Sequence, residues 1–287
     1  MTPAFKPLVA GTALALTVAA SAAQAMTWSD TAIGYRYGTQ FAEPGNDKDI
    51  EKHVLSLTHA SGYAYGQNFF NLDMLQSDSN DPANNSDDGA LEAYLTFRTQ
   101  LHYGKVFGNP LAFGPVKDMA LTGGFDLNTK NTAFAPRKRL LLLGPTFKFD
   151  VPKGFVDLSL LYAKEWNHCG LDICAQPGFT DDIDFDPYYQ INLVWGIPFA
   201  LGDTSMKFQG FYSYNGEKGE DYFNDDTEQE QLMRTSVMLD VGKVVWQQEN
   251  NLWAGVGYEY WRNKFGNPDE KDGVDTDALT FNLEWHF

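Results

Sequence analysis

The chain has 287 residues, a formal net charge of −17 and 43% hydrophobic residues, with 21 Phe, 14 Tyr and 7 Trp. Its mean hydropathy of −0.36 excludes a bundle of membrane-spanning helices, and the acid excess excludes a nucleic-acid binder, which needs a basic footprint. The length admits one large domain or two small ones, and no linker, composition break or repeat divides it.

In chain order, Lys6, the apolar run Leu8–Ala20 and Ala23-Gln24-Ala25 read as the charged start, core and cleavage site of a secretory signal peptide, Met1–Ala25. The apolar run is about 13 residues against the ~20 that a spanning helix needs. Residues 26–287 are then the mature chain, exported to an oxidising compartment. Cys169 and Cys174 are therefore expected to form a local disulfide. His168 beside them lacks the further ligands of a zinc site, so no metal is expected.

Twelve segments alternate apolar and polar residues with a period of two, the period of a strand. They are Thr31–Phe41, Ile50–Ala60, Tyr63–Gln76, Leu91–His102, Phe113–Leu127, Arg139–Val151, Phe155–Trp166, Tyr188–Ile197, Thr204–Tyr214, Leu232–Trp246, Asn251–Lys264 and a closing strand to Phe287. The fourth sets Leu91, Ala93, Leu95, Phe97 and Leu101 against Glu92, Tyr94, Thr96, Arg98, Gln100 and His102. The last sets Leu279, Phe281, Leu283, Trp285 and Phe287 against Thr280, Asn282, Glu284 and His286.

Long and short connections alternate between these segments. Four long ones, Ser77–Asp88, Asn167–Asp186, Asn215–Gln231 and Phe265–Asp277, hold 21 acids against two lysines, Lys218 and Lys271. A polar loop is expected at Ala42–Asp49, tight turns near Ser61-Gly62 and Pro152-Lys153-Gly154, and a basic loop at Asn128–Lys138 carrying Lys130, Arg137 and Lys138. Even strand number, long and short connections in turn, and one apolar face per strand predict an all-β fold: a transmembrane antiparallel up-and-down β-barrel of about 12 strands, with long extracellular loops and short periplasmic turns. Closure is required because an open sheet edge would leave backbone groups unsatisfied in hydrocarbon. Tyr37, Phe41, Phe149, Trp166, Trp195, Trp246, Trp261 and Trp285 near strand ends are expected to form interfacial girdles.

No Gly-x-Ser-x-Gly, Cys-x-x-Cys, His-Glu-x-x-His or phosphate-loop pattern is present, and no enzymatic role or cofactor is expected. The inward faces mix carboxylates (Asp73, Glu92, Asp157, Glu259, Glu284), cations (Arg36, Arg98, Lys207, Arg234), amides (Gln190, Asn192, Gln209) and aromatics (Phe69, Tyr94, Tyr188). Aromatic faces among hydrogen-bonding groups suit a flat polar ring, stacked on its face and bonded at its edge. Phe69, Asn71, Asp73, Glu92, Tyr94, Arg98, Tyr188 and Asn192 are the expected pore-lining, solute-binding residues.

A terminal strand ending on an aromatic resembles those of bacterial outer-membrane barrels. Phe113-Gly114-Pro115-Val116-Lys117-Asp118 is similar to the Phe-Gly-Pro-x-(Lys/Gln)-Glu motif of Tsx-type nucleoside channels and their OmpK-like relatives, and Tyr162-Ala163-Lys164 followed by Trp166 resembles a segment of that family. The third strand departs from it: Tyr63-Ala64-Tyr65-Gly66-Gln67-Asn68-Phe69-Phe70-Asn71-Leu72-Asp73 keeps the aromatics and a carboxylate but not their spacing. The resemblance implies a monomeric barrel in outer-membrane lipid and lipopolysaccharide that passes nucleosides or other small polar solutes, with phage or bacteriocin contacts at its loops. The alternatives are a structural or receptor barrel with a closed lumen and, behind it, an outer-membrane lipase using His59.

Overall fold

The computed structural model describes residues 26–287; the expected signal peptide, residues 1–25, lies outside the described residues. Thirteen strands form one antiparallel sheet. They are β1 (Trp28–Glu43), β2 (Asn46–Tyr63), β3 (Gly66–Ser77), β4 (Leu91–His102), β5 (Val116–Lys130), β6 (Arg139–Phe149), β7 (Phe155–His168), β8 (Asp182–Asp184), β9 (Tyr188–Leu201), β10 (Thr204–Asn215), β11 (Glu230–Asp240), β12 (Leu252–Arg262) and β13 (Thr276–His286).

Twelve of these strands close a ring. Each long strand pairs with its sequence neighbours, β7 skips to β9, and β1 pairs with β13 from Ala32 opposite His286 to Gly38 opposite Thr280. The three-residue β8 sits only on the end of β7. With no free edge in the ring, every strand satisfies its backbone groups on both sides, the condition for crossing hydrocarbon. A strand of 11 residues such as β13, tilted as barrel strands are, rises about 28 Å, close to the ~30 Å of a bilayer core. The outer face is apolar at that height, with Leu57, Leu121, Leu143, Leu160, Val256, Leu279 and Phe281 all exposed. This is an all-β, twelve-stranded, up-and-down transmembrane barrel. Among the described residues no helix is long and apolar enough to cross a membrane.

Both described termini lie at one end, the turn end. The long connections gather at the other, the loop end. Besides strand ends that shift by a few residues, as where β9 runs past Ile197 to Leu201, four expected boundaries differ. The polar loop expected at Ala42–Asp49 is a tight hairpin: Phe41 pairs with Ile50 and Glu43 with Asn46, leaving Pro44-Gly45 as the turn with Gly45 at φ +80°. Both faces of this hairpin are polar because it stands above the apolar belt, so alternation vanished while pairing persisted. Strand β2 likewise continues through the turn expected at Ser61-Gly62, to a turn at Ala64-Tyr65. Residues Val241–Trp246, expected to continue β11, form a short helix. The Asp240 carboxylate ends the strand there, accepting from the Lys243 and Asn250 backbone N–H at 2.9 and 2.8 Å.

The fourth difference concerns Phe113-Gly114-Pro115, expected to open β5. These residues lie before the strand, in a turn-end connection that also carries the short helix Tyr103–Phe107. Phe113 and Val116 exchange backbone hydrogen bonds, and the Asp118 carboxylate accepts from Gly104 and Leu111 N–H at 3.1 Å each. The block that carries the family resemblance thus clamps a turn and is remote from the lumen.

Two of the expected girdle aromatics point inward. A register shift between Gly38 and Phe41 turns Phe41 into the barrel, where it packs on Ile50 and Ala278. Trp261 donates from Nε1 to Glu230 at 2.7 Å, a partner that exists only inside. His59 lies within β2, its Nδ1 2.8 Å from Thr31 Oγ1.

The expected disulfide joins Cys169 to Cys174. It belongs to a small apolar core with Phe185 and Tyr222, against which Phe134, Leu171, Ile183 and Phe223 pack. The connections after β5, β7 and β10 therefore fold together as a cap over part of the loop end. Replacing both cysteines by serine is expected to cost this cap about 2 kcal/mol, by the loop-entropy account for so short a loop, and to speed proteolysis between β7 and β9 while strand protection stays unchanged.

Candidate functional site in the barrel lumen

Alternation puts one face of every long strand inside the ring, and the inward residues are strongly polar. Burying so many charges is tolerated only if they pair. They do: Arg36, Lys52, Arg98, Lys130, Lys138, Lys148, Lys207, Lys218, Arg234 and Lys264 each lie within 3.2 Å of a carboxylate.

The central group crosses the lumen. Arg36 on β1 reaches Glu259 on β12 at 2.6 Å and Asp73 on β3 at 3.6 Å. Arg234 on β11 reaches the same two carboxylates at 2.7 and 3.3 Å. Asp73 also accepts from Ser56 Oγ at 2.7 Å and Asn71 Nδ2 at 2.8 Å. Two guanidinium groups and two carboxylates thus form a charge-neutral quartet joining opposite walls. The side chains of Glu259 and Asp73 are 3% and 9% exposed, but that of Arg234 is 30% exposed, so solvent reaches the quartet. Phe211 pairs with Arg234 across β10 and β11, its ring 6.0 Å from the guanidinium carbon.

Beside the quartet, Arg98 makes a two-pronged contact with Asp126, and the Tyr94 hydroxyl donates to the same carboxylate at 3.1 Å. Tyr94 stands opposite Asp73 and Phe69 opposite Arg98, so five of the expected residues, Phe69, Asn71, Asp73, Tyr94 and Arg98, do form one patch on β3 and β4. Phe69 is 39% exposed. Glu92 lies nearer the loop end and accepts from Asn128. Asn192 bonds Ser213 at 2.7 Å on the far wall. Tyr188 belongs elsewhere: its hydroxyl donates to Glu165 at 3.0 Å.

That Glu165 is the centre of a second buried group. Lys218 and Lys138 reach its two oxygens at 2.9 and 3.2 Å. Burial is the largest single effect and lowers the Lys138 ammonium, but Glu165 together with Tyr94, Tyr188 and Glu230 outweighs it and holds Lys138 well above its ordinary value. A third group surrounds Glu43, whose Oε1 meets Lys52, Lys130 and Lys264, with Asp81 on Lys130 at 2.8 Å. Burial pulls Lys264 down to about 8, helped by Lys52 and Lys130 and opposed by Glu43. The basic loop expected at Asn128–Lys138 is therefore no free cationic surface, since Lys130 and Lys138 turn inward onto these acids. Lys218, counted with the solvated loop charges, is 5% exposed.

Sequence reasoning placed Arg36, Arg234 and Glu259 on the inward face but not in the site, because nothing in the spacing says that β3 faces β11. Asp126 keeps the inward phase of β5, between Phe125 and Leu127, but that it meets Arg98 follows only from the pairing of β4 with β5.

Closed pairing, an apolar outer belt and an ion-paired polar lumen define a twelve-stranded transmembrane β-barrel with a narrow polar interior. No protein-family model and no curated protein matches the chain. Among solved structures it is similar to the translocator domain of the autotransporter NalP from Neisseria meningitidis, at 12% identity and TM-score 0.49 over 95% of this chain and 93% of that one. It is also similar to the NanC porin, at 8% identity and TM-score 0.45 over 90% and 99%. An outer membrane channel from Pseudomonas putida F1 aligns at 10% identity and TM-score 0.44 over 90% and 95%. The barrel assignment itself rests on the closed strand pairing.

Proposed function

We propose that this protein is an outer-membrane channel that passes small uncharged polar solutes, nucleosides foremost, by facilitated diffusion and without covalent chemistry. Long connections at one end and both described termini at the other support an extracellular loop end and a periplasmic turn end. The observation that carries the proposal is the charge-neutral quartet of Arg36, Asp73, Arg234 and Glu259 at a solvent-reached constriction. A fixed excess of one charge would sort permeants by sign, whereas a balanced set offers donors and acceptors to a neutral ring. Phe69 and Phe211 supply faces on which such a ring stacks, and the resemblance to Tsx-type nucleoside channels points to the same solutes. Weak, successive contacts suit passage, because a tight site would block release.

Purified protein in planar bilayers tests this. The expected result is a small conductance, nearly equal permeability to potassium and chloride, and block by nucleosides that Phe69→Ala weakens. Conductance without nucleoside block would leave a general pore. Absence of conductance would favour a closed structural or receptor barrel, the second reading, which the crossing of the lumen by the quartet supports.

A further inference from the structure

On the outer wall, β1 to β5 carry a hollow of about 530 Å³ near the loop end. It follows from side-chain size. One row of outward residues runs across β2 to β5 as Leu55, Met74, Ala93 and Thr129, each opposite the next. The flanking outward positions on β4 and β5 are leucines, Leu91, Leu95 and Leu127, and the two small side chains between them leave the dent. Leu55, Met74 and Leu91 wall it and are 46, 45 and 56% exposed. The rim towards the loops is polar in a specific way. The Tyr35 hydroxyl lies 2.7 Å from His53 Nδ1, and His53 Nε2 lies 3.3 Å from a Glu51 oxygen. Gln76 stands opposite His53 on the neighbouring strand. Below this rim the outward residues of the dent are apolar except Thr129; above it are Glu51 and the polar hairpin.

We propose that this hollow is a lipid site, which holds one acyl chain of lipopolysaccharide, with Tyr35, His53 and Gln76 hydrogen-bonding the oxygens where that chain joins its sugar. The hollow is continuous with the bilayer-facing belt, so its occupant comes from the membrane. The polar rim points to the loop end, so the lipid belongs to the extracellular leaflet, which in an outer membrane is lipopolysaccharide. The chain is already in hydrocarbon, so what favours it here is packing: in the dent it touches Leu55, Met74 and Leu91 on several sides, where a flat wall of leucines would meet it on one. The site rests on the outer-membrane orientation proposed above and not on the identity of the permeant.

The test compares wild type, Ala93→Leu, which fills the dent with the side chain of its neighbours, and His53→Ala. Each is exchanged into detergent with lipopolysaccharide or with phosphatidylglycerol and weighed intact by native mass spectrometry. Wild type is expected to retain one lipopolysaccharide at tenfold or greater occupancy over Ala93→Leu, with His53→Ala between them. All three are expected to keep the heat-sensitive gel mobility of a folded barrel and the same conductance in planar bilayers. Equal retention by wild type and Ala93→Leu would overturn the site, as would equal retention of phosphatidylglycerol. Intact conductance with lost retention separates this outcome from a failure of the channel reading.

Discussion

Replacing Arg234 with serine is expected to raise single-channel conductance several-fold and to lower the unfolding free energy by about 3–5 kcal/mol, the usual cost of leaving a buried charge without its partner. Arg234 is the more solvent-reached guanidinium of the quartet, and it holds both Glu259 and Asp73. Its loss removes one of the two arms that cross the lumen and leaves Arg36 to balance two carboxylates. The two effects have different origins, and a second variant separates them. Arg234→Ser combined with Glu259→Gln restores charge balance, so stability is expected to recover while conductance stays high. Urea denaturation in lipid and planar-bilayer recording read the two quantities. Unchanged conductance in both variants would place the constriction elsewhere, and unchanged stability in the single variant would mean that water already solvates the quartet fully.

The second large effect lies at the loop end. Glu165→Gln is expected to destabilise the barrel by at least about 3 kcal/mol, because one carboxylate serves two buried lysines and its removal leaves Lys138 and Lys218 facing each other. Lys218 also sits 4.1 Å over the Phe185 ring, within the cap built around the disulfide. Expelling that lysine is expected to open the cap, so trypsin should cleave after Lys218 in the variant and spare the wild type. Glu165→Gln with Lys218→Met removes the repulsion and is expected to regain most of the lost stability and the protease resistance. A wild-type urea midpoint in Glu165→Gln would show that the group is held by packing instead of by charge.

The architecture was legible in the chain because a bilayer imposes a period-two code on each strand. Leu279 to Phe287 shows it plainly, with apolar side chains towards lipid and polar ones towards the lumen. Each strand could be read alone, since its outer face meets the same solvent everywhere. The code fails wherever the chain leaves the bilayer. At Glu43–Asn46 the strands continue into water and both faces become polar. At Val241–Trp246 an apolar run is a helix because Asp240 caps it. The local disulfide was legible too, from five-residue spacing and the expectation of export.

What the sequence by itself determined, then, is which residues face lipid and which face inward, and hence a barrel with a polar interior. Only the tertiary structure decided how those inward groups meet. Arg36 and Glu259 are 223 residues apart, and Arg234 and Asp73 are 161 apart, joined by ring closure that no local pattern encodes. The same closure assigned Tyr188 to Glu165 instead of to the patch on β3 and β4, and turned Lys130, Lys138 and Lys218 from loop charges into buried partners. The physical reason is one of range. Alternation is set by the geometry of single residues, whereas an ion pair across a lumen depends on the strand number, tilt and register of the whole ring.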